Sequence, residues 1–128
     1  MAISFQKTIP ILRIFDVAKA TDFYVDFLGF ALDWEHHFDE GSPAYMQLSR
    51  AGMTLDLSEH HGDCCHGSTT FVWMEGIGEF HREIAAKGYG SMRPGIETTF
   101  YGARCVEVID PFGNRLRFNE RQEPRTAT

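Results

Sequence analysis

The chain has 128 residues, which suits one domain and is too short for two independent cores. Hydrophobic residues make up 43% of it and aromatic residues 13%, which is enough apolar side chain to bury a core and excludes disorder of the body. Eighteen acidic against twelve basic residues give a net charge of −6, which argues against a nucleic-acid partner and suits a cationic ligand.

The sequence also indicates the compartment in which the protein works. No run approaches the roughly 20 apolar residues of a membrane span. The first residues, MAISFQK, lack the basic-then-apolar order of a secretory signal. Two of the three cysteines, Cys64 and Cys65, are adjacent and would close only a strained disulfide. We therefore expect a cytoplasmic protein with reduced thiols and no membrane partner.

Two amphipathic helices are predicted in matching frames. The first begins after the N-cap residue Asp16 and ends at Gly29, and the second runs from about Ile77 to Gly88. Apolar residues of the first helix recur at steps of three and four, namely Val17, Ala20, Tyr24, Phe27 and Leu28. Each helix ends in glycine followed by an aromatic residue, which indicates a repeated unit.

Short strands are predicted on either side of each helix. They occupy residues 9–14, 30–38, 45–49, 53–58, 70–74, 103–109 and 115–119. Strict alternation would place four apolar residues of the second strand on one face: Phe30, Leu32, Trp34 and Phe38. The closing turns end at Gly52 and Gly113, 61 residues apart, so the chain is an α+β domain over residues 1–120 in which one β-α-β-β-β unit is used twice, at about 5–60 and 68–120. Residues 121–128 are polar, and we expect a mobile tail there.

These features resemble the vicinal oxygen chelate superfamily, which contains glyoxalase I, extradiol dioxygenases and bleomycin resistance proteins. The resemblance rests on the paired units, on DVAKATDFYVDFLGF at residues 16–30 and on IDPFGNRLRF at residues 109–118. The segment FVWMEGIGEF at residues 71–80 is most similar to the bleomycin resistance branch. The resemblance implies a curled mixed sheet around a cup, with the helices outside and the binding site inside. It also implies a homodimer, in which the first unit of one chain and the second unit of its mate build each cup.

Enzymes of this superfamily hold a divalent metal ion at four positions, which the resemblance carries to Ile9, Asp56, a residue within 68–70 and Arg117. Ile9 has no donor atom and Arg117 has a fixed positive charge, so only Asp56 is a credible ligand. A catalytic metal needs about three protein ligands. The sequence therefore favours a protein without a cofactor and without catalytic residues.

Two alternatives stay open. One is a metal-dependent lyase, isomerase, transferase or dioxygenase that acts on an unknown small molecule with a divalent metal ion. The other is metal binding by the His- and Cys-rich linker at residues 59–67. In that case the ligand set would be Asp56, His60, His61 and His66.

Binding without chemistry is the function that the sequence favours, in the form of sequestration of a small cationic aromatic compound such as an antibiotic of the bleomycin family. Aromatic surfaces suit planar rings, and acidic groups suit a cationic tail. The predicted ligand-binding residues are Trp34, Phe38, Asp56, Trp73, Tyr101 and Arg117. Because Asp56 and Arg117 occupy equivalent positions in the two units, we also expect them to form an ion pair on the floor of the cup.

Overall fold

The computed structural model describes residues 2–90 and 93–122. Its elements, in chain order, are β1 (Ile11–Arg13), α1 (Val17–Thr21) with a π-helical continuation (Asp22–Phe27), β2 (Ala31–His37), β3 (Ala44–Arg50), β4 (Met53–Ser58), β5 (Thr69–Trp73), α2 (Ile77–Ala86), β6 (Glu97–Thr98), β7 (Ala103–Ile109) and β8 (Arg115–Arg121). The predicted α+β fold with two successive β-α-β-β-β units is confirmed.

Each unit forms its own four-stranded mixed sheet. The strand orders are β1-β4-β3-β2 and β5-β8-β7-β6, so the two sheets have the same topology. In each sheet the strand that precedes the helix pairs in parallel with the last strand of the unit, and the remaining neighbours are antiparallel. The helix between the first two strands provides the crossover that such a parallel pair requires.

The helix-bearing faces of the two sheets share one hydrophobic core. Leu55 and Leu57 of β4 are buried in it together with Leu116 and Phe118 of β8. The alternating residues of the same strands therefore lie on the opposite faces. We call these the first open face, on the sheet of β1–β4, and the second open face, on the sheet of β5–β8, because neither carries a helix.

The first helix widens into a π-helix, which the apolar spacing did not predict. The amide of Leu28 donates to the carbonyl oxygen of Phe23 at 2.9 Å, five residues back rather than four. This wider turn changes the phase of the helix, so that Phe23 is fully buried beside Tyr24 and Phe27. Phe23 belongs to the core although it was absent from the predicted apolar positions.

The alternation predicted for residues 30–38 is wrong, because β2 contains a bulge. Leu32 lies opposite Leu48 of β3, but Trp34 lies opposite Gln47, so the register shifts at Asp33. Leu48 points into the core, so the preceding residue Gln47 points to the opposite face of the sheet. Leu32 and Trp34 consequently lie on different faces of the sheet, and the bulge places Trp34 on the first open face.

Buried polar contacts join the two units. Asp110, in the turn between β7 and β8, accepts a hydrogen bond of 2.6 Å from the hydroxyl of Tyr24 on the first helix. On the surface, both guanidinium Nη atoms of Arg50 donate to the carboxylate of Glu83 on α2, each at 2.7 Å. The two units are therefore held together by specific contacts as well as by the common core.

The ends of the elements differ slightly from the prediction. β8 extends to Arg121, one residue into the predicted tail, whereas residues 123–128 of that tail lie outside the described residues. The two-residue strand β6 has no alternating pattern and was not predicted. Within residues 2–90 and 93–122, no helix is long and apolar enough to cross a membrane.

Stability should fall in alkaline solution because burial, followed by the nearby carboxylate of Asp110, raises the pKa of Tyr24 well above its ordinary value. Above pH 10, roughly the pKa of an unfolded tyrosine, the unfolded chain loses a proton that the folded chain keeps. The free energy of unfolding should therefore fall by up to about 1.4 kcal/mol per pH unit for this residue. Urea unfolding between about pH 8 and 11 measures the decline, and Tyr24→Phe should make it shallower. Equal slopes for the two proteins would contradict this assignment.

Candidate ligand-binding site

A row of side chains crosses the first open face from β4 to β2. Asp56 lies opposite Gln47 in the β3–β4 pair, and Gln47 lies opposite Trp34 in the β2–β3 pair. In the neighbouring row, Tyr45 stacks on Trp34 with ring centroids 5.8 Å apart and an interplanar angle of 15°. This face therefore combines a flat aromatic surface with a carboxylate.

Asp56 is the chemically distinctive residue of this face. It is only 8% exposed, and its carboxylate accepts hydrogen bonds from the hydroxyl of Tyr45 at 2.6 Å and from Nε2 of Gln47 at 3.0 Å. Burial and the hydrogen bond to Asp56 raise the pKa of Tyr45, so this donor stays protonated. Within the described residues no cationic side chain forms an ion pair with Asp56. The negative charge is thus held by neutral donors alone.

The second open face carries a cluster of three aromatic rings. Phe71 and Trp73 are two residues apart on β5, and their ring centroids are 5.0 Å apart. Tyr101, in the turn before β7, completes the cluster at 5.8 Å from Phe71 and 6.3 Å from Trp73. Each of the three rings is between 40% and 46% exposed. The cluster therefore presents a packed aromatic wall to solvent.

Polar side chains hold this wall in place. The hydroxyl of Tyr101 donates to Oδ1 of the buried residue Asn119 on β8. The guanidinium carbon of Arg121 lies 4.0 Å from the ring centroid of Trp73, which is a cation–π contact. Both contacts fix the orientation of rings that are otherwise open to solvent.

Asp56 and Arg117 do not form the predicted ion pair within one chain, and a pair between two chains stays a prediction. Nε of Arg117 donates to Glu107 on the adjacent strand β7 at 2.7 Å, and Glu107 also accepts from Arg115 at 3.2 Å. Asp56 is held by its own sheet neighbours, as described above. Each side chain therefore finds its partner one strand away in its own sheet, where the partner is already positioned.

Phe38, His60 and His66 make aromatic contacts with residues other than the rings of these clusters. The ring of Phe38 is 73% exposed at the end of β2, and it contacts His36 and His60 edge-on. His66 packs against Phe15, near the turn between β7 and β8. Among the described residues, no ring contact joins Phe38 to Trp34.

The residues at the metal positions of the superfamily do not fit a catalytic metal ion. Ile9 offers no donor atom, and the guanidinium group of Arg117 carries a positive charge and is bound to Glu107. The alternative set in the linker is not assembled either, since His60 contacts Phe38 whereas His66 contacts Phe15. Within residues 2–90 and 93–122, no group of three His, Cys, Asp or Glu side chains is close enough to hold a metal ion.

Phe71 and Gln47 were missed by the sequence analysis, although signals for both exist. Phe71 precedes Trp73 by two residues in a predicted strand, so the alternation of a strand puts both rings on one face. Gln47 follows from counting outwards from the turn that ends at Gly52, which sets it opposite Asp56. By contrast, the bulge that places Trp34 beside Gln47 has no such signal.

Paired β-α-β-β-β units with aromatic open faces define a class of protein. The chain belongs to the glyoxalase superfamily, because the family model described as "Glyoxalase superfamily protein" matches residues 1–125. The proteins that it is similar to include bleomycin resistance proteins, the branch that the segment at residues 71–80 resembled. The family that the sequence motifs resembled is therefore confirmed.

Named relatives agree with this assignment. A bleomycin resistance protein of Geobacillus stearothermophilus is 27% identical, and the match covers 88% of this chain and 94% of that protein. The bleomycin-binding protein of Streptomyces verticillus, solved with copper(II)-bleomycin, has a TM-score of 0.69 at 24% identity and covers 94% of this chain and 100% of that chain. A glyoxalase-related enzyme from Clostridium phytofermentans has a TM-score of 0.72 at 20% identity over 94% and 98% of the two chains. The structural matches support the fold.

Proposed function

We propose that the protein binds and sequesters a small cationic aromatic compound of the bleomycin type, without catalysing a reaction. The observation that carries this proposal is the pair of aromatic open faces, of which the first also holds the buried carboxylate of Asp56. Planar rings of a ligand would stack on Trp34 and Trp73, and a cationic group would complement Asp56. The names of the relatives support the same ligand class.

The negative charge of Asp56 supports the proposal that the ligand carries a cationic group. A carboxylate that is nearly excluded from water is unfavourable unless it is paired, and here only neutral donors contact it within the described residues. A ligand ammonium or guanidinium group would supply the missing opposite charge. An uncharged or anionic ligand would leave the carboxylate desolvated and unpaired, which selects against such compounds.

We further propose that the site is completed in a homodimer. Among the described residues, the aromatic contacts of Trp34 and of Trp73 stay within their own units, so each open face offers half of a cup. The charges of the two units favour a contact between the first unit of one chain and the second unit of another. Residues 5–60 contain nine acidic and four basic residues, whereas residues 68–120 contain seven acidic and six basic residues, so two first units repel each other more than a first and a second unit do. The first unit of one chain would therefore face the second unit of its mate.

The dimer makes a direct prediction about mass. Light scattering at micromolar concentration should give about twice the 14.6 kDa of one chain. Phe71→Asp, which places a charge on the exposed aromatic wall, should shift the mass towards one chain because the charge would be desolvated in the interface. A control variant, Phe100→Asp, alters a fully exposed ring next to the cluster and should remain dimeric. A mass near one chain for the unaltered protein would contradict the proposal.

We also propose a cytoplasmic location and a single domain over residues 1–120. The cysteines Cys64, Cys65 and Cys105 are unbridged, which supports a cytoplasmic protein. The shared core of the two units supports a single domain over residues 1–120.

A fluorescence titration tests the proposed function. Bleomycin should quench the emission of Trp34 or Trp73, because both rings lie on the open faces. Raising the salt concentration should weaken binding without abolishing it, since exposed charges are screened beyond about 8 Å at physiological ionic strength whereas stacking persists. No quenching at high micromolar bleomycin would contradict bleomycin as a ligand.

A further inference from the structure

A groove between the two units lies on the helix-bearing side of the second sheet and shares only Trp73 with the second open face. It has a volume of about 710 Å³, and it is lined by the turn after β3 in the first unit and by β5 and the start of α2 in the second. This volume is within the range of about 300–1,000 Å³ that is typical of small-molecule sites. The groove is therefore large enough for a ligand of its own.

Strand alternation separates the groove from the second open face. Val72 lies between Phe71 and Trp73 on β5, and it pairs in register with Phe118 of β8. Both Val72 and Phe118 line the groove, and Phe118 is part of the core. Of the aromatic wall, Trp73 alone also lines the groove. The groove thus opens on the helix-bearing side of the sheet.

The interior of the groove is apolar and adaptable. Apolar side chains from both units line it: Phe30, Ala51, Met53, Val72, Trp73, Met74, Phe80 and Phe118. The two methionines are only partly buried. Because a methionine side chain is unbranched and flexible, such a surface adjusts to ligands of different shape.

The charged residues that line the groove are mostly acidic. The rim of the groove carries Glu75, Glu79, Glu83 and Arg50. Arg50 donates two hydrogen bonds to Glu83, which also lies 3.9 Å from Lys87, and these two cations lower the pKa of Glu83 and neutralise its charge. Glu75 and Glu79 form no ion pair with any described residue. Two carboxylates therefore remain available beside the apolar floor.

We propose that this groove is a second binding site, distinct from the cup, for a small cationic amphiphile with an apolar body and one ammonium group. The apolar body would contact Met53, Met74 and Phe80, and the ammonium group would lie at Glu75 and Glu79. The proposal does not depend on the function proposed for the open faces. An anionic amphiphile of the same length is disfavoured because the rim would repel it.

Dodecyltrimethylammonium, used below its critical micelle concentration, is the probe that tests the site. In protein labelled with ¹³C at the methionine methyl groups, the Met53 and Met74 signals should shift and saturate together. The signal of Met46, which is fully buried elsewhere in the core, should stay in place. Dodecyl sulfate should bind this site at least about tenfold more weakly. Absence of saturable shifts, equal affinity for dodecyl sulfate, or a parallel shift of Met46 would overturn the proposal.

A double variant distinguishes the effect of the two rim carboxylates on probe binding from the effect of the net charge of the protein. Glu75→Gln with Glu79→Gln should weaken the probe about tenfold, because two surface charge contacts are lost. The control, Glu40→Gln with Glu97→Gln, changes the net charge equally at exposed positions outside the groove and should bind normally. An equal loss in both variants would overturn the site. Signals of Met53 and Met74 that shift with protein concentration in the absence of the probe would also overturn the site. A second copy of the chain would then occupy the groove.

Discussion

Replacing Asp110 with alanine is expected to lower the free energy of unfolding by about 3–5 kcal/mol, a large part of the stability of a small domain. The carboxylate is 5% exposed and accepts four hydrogen bonds. The donors are the hydroxyl of Tyr24, the amides of Phe112 and Asn114, and Nδ2 of Asn114. Alanine would leave three of the four donors unpaired in the interior, since Asn114 Nδ2 also donates to the carbonyl oxygen of Arg13.

Urea unfolding followed by circular dichroism measures this loss. The matched control is Tyr24→Phe, which removes only the hydroxyl from the same contact and should cost about 1–2 kcal/mol. If Asp110→Ala were within 1 kcal/mol of the unaltered protein, roughly the net value of one hydrogen bond, the network would not be what joins the two units.

Replacing Tyr101 with alanine should weaken bleomycin binding by about 1–3 kcal/mol. The substitution removes one ring of the wall and also releases Phe71 and Trp73, both of which it contacts. Isothermal calorimetry at fixed salt measures the change in affinity.

The control for this variant is Tyr101→Phe, which keeps the ring and loses only the hydrogen bond to Asn119. It should retain affinity close to that of the unaltered protein. A loss as large as that of alanine would mean that the hydroxyl, not the aromatic surface, carries binding. Unchanged affinity in Tyr101→Ala would remove this ring from the site.

The parts of the fold that depend on local sequence were predictable. Gly29, at a φ of 79°, ends the first helix where the left-handed conformation is required. The turn from Asp110 to Gly113 brings β7 and β8 into register through residues that favour such turns. Alternation placed Asp56 and Arg117 on the faces opposite the core. In each case the signal lies within a few residues of the feature.

The features that the sequence analysis missed depend on contacts between residues that are far apart in the sequence. The π-helical segment buries Phe23 through contacts with the second unit, including an edge-on contact with Tyr89. The partner of Arg117 is set by cross-strand pairing with Glu107, which competes with any contact across the cup. Counting from the β7–β8 turn would have identified Glu107, because the hairpin register is fixed by that turn.

Calorimetric titration with metal-free and copper(II)-loaded bleomycin tests the central claim most directly. The protein should bind one bleomycin per chain, because a dimer with two-fold symmetry has two equivalent cups. Asp56→Asn should weaken binding in the same experiment, since it removes the charge that faces the cationic group. The absence of heat at high micromolar ligand would contradict the claim, and so would a stoichiometry of one bleomycin per two chains.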